Sequence, residues 1–298
     1  MARAGANPPL VSAIETAILL LVRYTGATVV ARRMATLADR RGTGGGREPT
    51  GDVFESARRA LDREREVLDA ERDAFDAFAR RVDALGTTDT AGDPYGGLLA
   101  DRGDGRASSG VREAYAETVM AVPHYDAEYG ESYRAHLAAE FGPALAAALR
   151  DEPGLPAFLQ QQVVAAARDA EESRATVVVA LDRERDALGD TAAALADIET
   201  ERAVVDSRPF ASCERAALVR LRDDLDDLAA RCESLAERRQ AGDLRPERQV
   251  PASFDAPGFE EYVYGETGTT YPVLSAIARE SERVERTRAA VDRALDSR

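Results

Sequence analysis

The chain has 298 residues and carries 54 acidic side chains against 39 basic ones, a formal charge of −15. Every basic residue is Arg, and without Lys there is no P-loop lysine, no Schiff-base or pyridoxal-phosphate lysine and no kinase-type phosphate lysine. Two Cys exclude a disulfide scaffold and a four-thiolate zinc site, and the acidic excess repels nucleic-acid phosphates, so DNA and RNA are not expected partners.

Residues 1–47 differ from the rest. They hold seven Arg against Glu15 and Asp39, a net +5 that leaves −20 for the remainder. Leu10–Val22 is mostly apolar and Ala27–Ala31 continues it, but Glu15 and Arg23 interrupt the run that a membrane-crossing helix needs. No small-residue cleavage site of a signal peptide follows. The segment reads as a helix docked on the body of the protein, with residues 10–33 lying on a membrane surface as the alternative. Gly42 to Gly46 reads as a flexible joint, since no strand precedes it and no Gly-Lys-Ser/Thr follows.

From residue 48 to 298 the pattern is that of an acidic helical bundle. Asp52 with Glu55 forms a capping-box pattern, and Phe54, Leu61, Leu68, Phe75 and Val82 recur every seven residues. Residues 86–110 read as a Gly/Asp/Ser-rich loop, and 111–121 and 131–149 as short helices parted by Pro123 and Gly142-Pro143. A long helix is expected from Pro156 to Val205, its inward stripe being Val177, Leu181, Leu188, Ala192, Leu195 and Ile198. Leu218, Leu221, Leu225, Leu228, Cys232 and Leu235 then step by 3, 4, 3, 4, 3, an a/d coiled-coil seam. The short Ser207-Arg208-Pro209-Phe210 turn makes an antiparallel hairpin of the two helices. Residues 241–270 read as a loop. A last helix from Tyr271 carries Leu274, Ile277, Val284, Val291 and Leu295 on heptad positions, with Ser281 and Arg288 as polar gaps. The fold expected is all-α, an elongated bundle with antiparallel coiled-coil hairpins.

Two echoes run through the chain. Ala60-Leu61-Asp62-Arg63-Glu64-Arg65 recurs at Ala180 to Arg185, and Tyr129-Gly130-Glu131-Ser132 resembles Tyr264-Gly265-Glu266-Thr267. Duplication would produce such echoes, but heptad composition produces them readily too, so convergence is the simpler reading.

Chemistry-bearing residues concentrate in Pro123-His124-Tyr125 and onward through Tyr129, Tyr133, His136 and Glu140. His124, His136 and Glu140 are of metal-ligating type, yet neither the HExxH nor the Glu-x-x-His spacing occurs. The simpler reading is a turn fixed by Pro123, with Tyr125, Tyr129 and the His side chains capping helix ends. Tyr262 and Tyr264, in the acidic aromatic stretch after Phe254, read as a cap over a bundle end or a contact surface. Cys213 and Cys232, nineteen apart on one predicted helix, lie about 28 Å apart along it and read as structural. No catalytic set, cofactor motif or small-molecule ligand is identifiable.

The segments Glu117–Tyr125, Glu140-Phe141-Gly142-Pro143 and Tyr271–Ala278 resemble an uncharacterised family of haloarchaeal acidic, coiled-coil-rich helical proteins. The resemblance covers Asp52 to the C-terminus. It implies an all-helical fold and a salt-adapted source, with no activity attached. Acidic excess and missing Lys fit such a source, since carboxylates keep a surface hydrated in concentrated salt; a GC-rich genome alone would also remove Lys. The function expected is that of a cytoplasmic, non-enzymatic scaffold acting through a protein partner or self-association. The alternatives are a peripheral membrane protein and a metal-dependent enzyme around His124 and His136.

Overall fold

The computed structural model describes residues 50–88, 106–151, 154–241, 258–265 and 267–297. The basic segment 1–47, its Gly-rich joint and the apolar stretch 10–33 lie outside the described residues. Nine α-helices follow one another among the described residues: α1 (Thr50–Asp83), α2 (Arg106–Ala116), α3 (Tyr125–Glu128), α4 (Tyr133–Phe141), α5 (Pro143–Asp151), α6 (Ala157–Asp206), α7 (Arg215–Ala241), α8 (Gly258–Tyr264) and α9 (Pro272–Asp296). These helices hold more than half of the whole chain, and no strand occurs among the described residues. The fold is all-α.

Local chemistry explains most helix ends. Ser132 caps α4, its hydroxyl accepting from the Ala135 N–H, and Gly142 closes that helix at φ 86°, a backbone that side chains resist. Pro272 sits in the first turn of α9, where its missing N–H needs no partner. The long α6 stops before Pro209, which cannot continue the i→i−4 ladder.

The contacts divide the chain into two compact units, whose described residues fall within 66–178 for the first and within 50–65 and 179–297 for the second. In the first unit, α1 and α6 run antiparallel, since the Gln160 amide donates to the Val82 carbonyl while Arg174 reaches Glu71. Phe75, Phe78, Tyr115 and Phe141 form its aromatic centre, with Phe78 edge-on to Tyr115 at 5.0 Å. In the second unit, α6 and α7 form an antiparallel hairpin, tied by Arg231–Glu201 and Arg239–Glu184. The α9 helix is antiparallel to α7, as Arg288–Asp226 and the Arg215 bond to the Leu295 carbonyl show. Leu218, Leu225, Leu228, Cys232 and Leu235 are buried and Leu221 is half-buried.

Five sequence expectations need correction. The α1 helix starts at Thr50, so Asp52 lies in its first turn and is not a cap. The loop assigned to 86–110 ends sooner, because Val111, Ala114 and Tyr115 give α2 a buried face from Arg106 onward. The region 241–270 contains α8, with Phe259, Tyr262, Val263 and Tyr264 buried; its seven residues are too short to show a period. On α9 the buried polar positions are Glu280 and Thr287, whereas Ser281 and Arg288 are half-buried and Leu274 likewise. That face is rotated because Glu280 must meet Arg202 and Thr287 must meet Asp206 on α6. Cys213 lies in the turn before α7, so the two Cys do not share a helix; both are free thiols.

Candidate functional site

Within the first unit, Arg174 projects from α6 into a protein interior where its side chain is 2% exposed. Its Nη1 and Nη2 donate to the two Glu140 oxygens at 3.0 and 2.6 Å, and its Nε donates to Glu71 at 3.1 Å. The Phe75 ring lies under the guanidinium, 4.5 Å from its carbon. The other Glu71 oxygen accepts from the Tyr129 hydroxyl at 2.7 Å and from His124 Nε2 at 3.0 Å. Beside this set, His136 Nδ1 bonds the Tyr115 hydroxyl at 2.7 Å, and the rings of Tyr125 and Tyr129 enclose it at 5.0 and 4.7 Å.

The electrostatics follow from burial. Burial would lower the Arg174 pKa, but Glu140 and Glu71 hold it well above the usual range, so the cation is permanent. Burial raises the Glu140 carboxyl, and Arg174 opposes that rise. His136 is pushed down to about 4, first by burial and then by the Arg174 charge, so it is neutral near pH 7. A neutral His136 accepting from Tyr115 at Nδ1 carries its proton on Nε2. That atom has no hydrogen-bond partner among the described residues and faces a Glu140 oxygen 4.0 Å away. Burial, then Glu140, raises the Tyr115 hydroxyl well above its usual range, which keeps it a donor.

A second clamp of the same parts occurs in the other unit. Arg239 on α7 is 1% exposed and donates to both Glu184 oxygens at 2.7 and 2.8 Å and to Glu260 at 2.6 Å. The Tyr264 hydroxyl donates to Glu184 at 2.7 Å, and the Tyr262 hydroxyl donates to Glu64. Burial opposes the Arg239 charge and the two carboxylates hold its pKa above the usual range. Each clamp thus takes one Tyr from a Tyr-Gly-Glu-Ser/Thr stretch, Tyr129 in one unit and Tyr264 in the other. Gly130, at φ 56°, turns the chain sharply after Tyr129.

The sequence candidates are therefore placed as follows. Tyr125, Tyr129, His124, His136 and Glu140 come together around Arg174, whereas Pro123 is exposed at the start of the α3 turn. His124 begins α3 without a side-chain cap and bonds Glu71 instead, so the helix-capping expectation is corrected there. Tyr262 and Tyr264 serve the second clamp. Apolar periodicity does not single out Arg174, Arg239, Glu71, Glu184 or Glu260. The signal was present, because Arg239 lies four residues after Leu235 on the same seam.

Arg174 fills the space between the two carboxylates that a metal would need, and no three His, Cys, Asp or Glu side chains form a metal-holding group among the described residues. The seam residue Cys232 has its thiol pKa raised by burial, which suppresses the thiolate. Between α7 and α9 lies an open groove of about 700 Å³ floored by Cys232, Ile277 and alanines, where Arg288 is engaged by Asp226 and Glu285. No helix among the described residues is long and apolar enough to cross a membrane.

Residues 52–288 match the model of a domain of unknown function, DUF7260, and the chain belongs to that family. No curated protein and no solved structure matches it.

Proposed function

We propose that this DUF7260 chain is a non-enzymatic helical interaction protein, working in the cytoplasm through protein–protein contacts made by its coiled-coil helices. The observation that carries the reading is the fate of its buried ionisable groups. Arg174, Arg239 and their four carboxylates are locked in two buried clamps, each guanidinium bonded to both oxygens of one carboxylate and to one oxygen of a second. An acid, base or nucleophile at work needs access to a substrate and a pKa near the working pH. His136, pushed down to about 4 and enclosed by aromatic rings, has neither. Buried ionic sets placed on heptad seams serve instead to fix which helices pair and in what register. The acidic, Lys-free surface supports a role in concentrated salt, where such register devices are sheltered from screening.

Sedimentation of the full chain in molar salt tests the reading. A mass that rises with protein concentration in the micromolar range supports self-association through the helices. A strict monomer across that range removes it. Two companion measurements separate the other classes. Stoichiometric metal retained by the purified protein would favour an enzyme around His124 and His136. Salt-resistant binding to anionic vesicles, lost on deleting residues 1–47, would favour a membrane-surface role for residues 10–33.

A further inference from the structure

The surface of the first unit holds a pocket that runs against the charge of the molecule. It lies where α2, α4 and α5 meet and has a volume of about 410 Å³, within the roughly 300–1,000 Å³ of small-molecule sites. Arg112, Arg134 and Arg150 line it, one from each helix, and no acidic residue among the described residues does. Its floor is apolar, built from Leu137 and Leu149, which are buried, with Ala146 and the Tyr133 ring beside them. Arg112 stands over that ring, 5.9 Å from its centre. Asp151 engages Arg150 from outside the lining. Arg112 and Arg134 have no carboxylate partner among the described residues.

We propose that this pocket binds an amphipathic organic anion, its apolar body on Leu137, Leu149 and Tyr133 and its carboxylate, sulfonate or phosphate head held by Arg112 and Arg134. A guanidinium pair recognises such a head through charge-assisted bonds, and the apolar floor makes a bare inorganic anion insufficient. Burial raises the Tyr133 hydroxyl to about 12, against the two arginines, so it stays a neutral donor. In a chain of net charge −15, a pocket whose described charged lining residues are all Arg offers an anion local attraction against the overall repulsion.

The test uses 8-anilinonaphthalene-1-sulfonate, whose fluorescence rises on an apolar surface, with the full chain at low salt. Saturable binding at one site per chain, displaced by octanoate, is expected. The neutral analogue N-phenyl-1-naphthylamine and inorganic sulfate should each fail to displace it at equal concentration. Arg112→Gln with Arg134→Gln should weaken binding by roughly tenfold or more, the loss expected when charged hydrogen-bond donors are removed. Both side chains are exposed, so the helical circular dichroism should not change. Ala146→Phe, which fills the floor and keeps the arginines, should also abolish binding. Anionic phosphatidylglycerol vesicles, bound in an Arg112- and Arg134-dependent way when octanoate is not, would identify the head and first chain atoms of a lipid as the anion's source. Equal binding by the arginine variant, or equal binding of the neutral analogue, would overturn the proposal.

Discussion

A guanidinium taken out of water forfeits several kcal/mol of hydration, and Arg174 regains it only because two carboxylates and an aromatic face surround it. Arg174→Met therefore leaves Glu71 and Glu140 buried together with no cation, and a loss of about 3–5 kcal/mol is expected by chemical denaturation. Replacing the whole set, with Glu71→Gln and Glu140→Gln added, should recover much of that loss, because no unpaired charge remains. A single variant as stable as the parent would mean that water reaches the clamp. His136 sets a pH dependence whose sign is fixed by its depressed pKa. Between its ordinary value of about 6.5 and its folded value of about 4, the unfolded chain takes a proton that the fold refuses. Stability is thus complete above about pH 6.5 and is lost as pH falls towards 4, by up to about 3 kcal/mol. Glu140, with a raised pKa, contributes the opposite slope, so the measurement is a difference. Subtracting the His136→Asn stability curve from that of the parent should isolate the histidine contribution; parallel curves across this window would remove it.

At the scale of elements, the seam of α7 makes the most direct prediction. Leu225 is fully buried at its centre, and Leu225→Ala should cost about 2–5 kcal/mol through lost burial and a residual cavity. An unchanged melting temperature would place that seam in solvent. The same seam shows what the sequence makes legible. Apolar residues at heptad-like spacing mark α1, α6, α7 and α9, most regularly on α7, since a long helix repeats its signal many times. Gln160, Val163, Ala167, Ala170, Arg174, Val177, Leu181 and Glu184 continue one such seam along α6, and all are buried. Reading only its apolar members left Arg174 and Glu184 among the solvated charges. Glu71, between Leu68 and Phe75, was missed for the same reason. The short α3 and α8 were illegible on other grounds, because each spans less than two turns and is held by Tyr hydroxyls bonded to carboxylates distant in sequence. The Tyr-Gly-Glu-Ser/Thr echo had a physical meaning after all: each copy delivers its Tyr to a clamp.

For the molecule as a whole, the excess of carboxylates over guanidinium groups leaves −15 charges to repel one another. Salt acts on this charge in two opposed ways. It relieves the net repulsion, and it weakens exposed helix pairs such as Arg59–Glu55 and Arg80–Asp76. Those pairs contribute only about 0.3–0.5 kcal/mol each, whereas the excess charge acts over every separation up to the Debye length. That length falls from about 10 Å at 0.1 M to about 3 Å at 1 M, so the repulsion is the larger effect to be screened. The melting temperature should therefore rise with KCl up to about 1 M, with any further rise owed to exclusion of salt from the surface rather than to screening. The clamp around Arg174 is sheltered from this change, being 2% exposed at the guanidinium side chain and no more than 5% at either carboxylate. Arg174→Met should then melt lower than the parent by an offset that stays constant as KCl is raised. A melting temperature that falls with added KCl would show that the exposed pairs outweigh the net repulsion. An offset that shrinks in molar salt would show that solvent ions reach the clamp, and that its burial does not protect it.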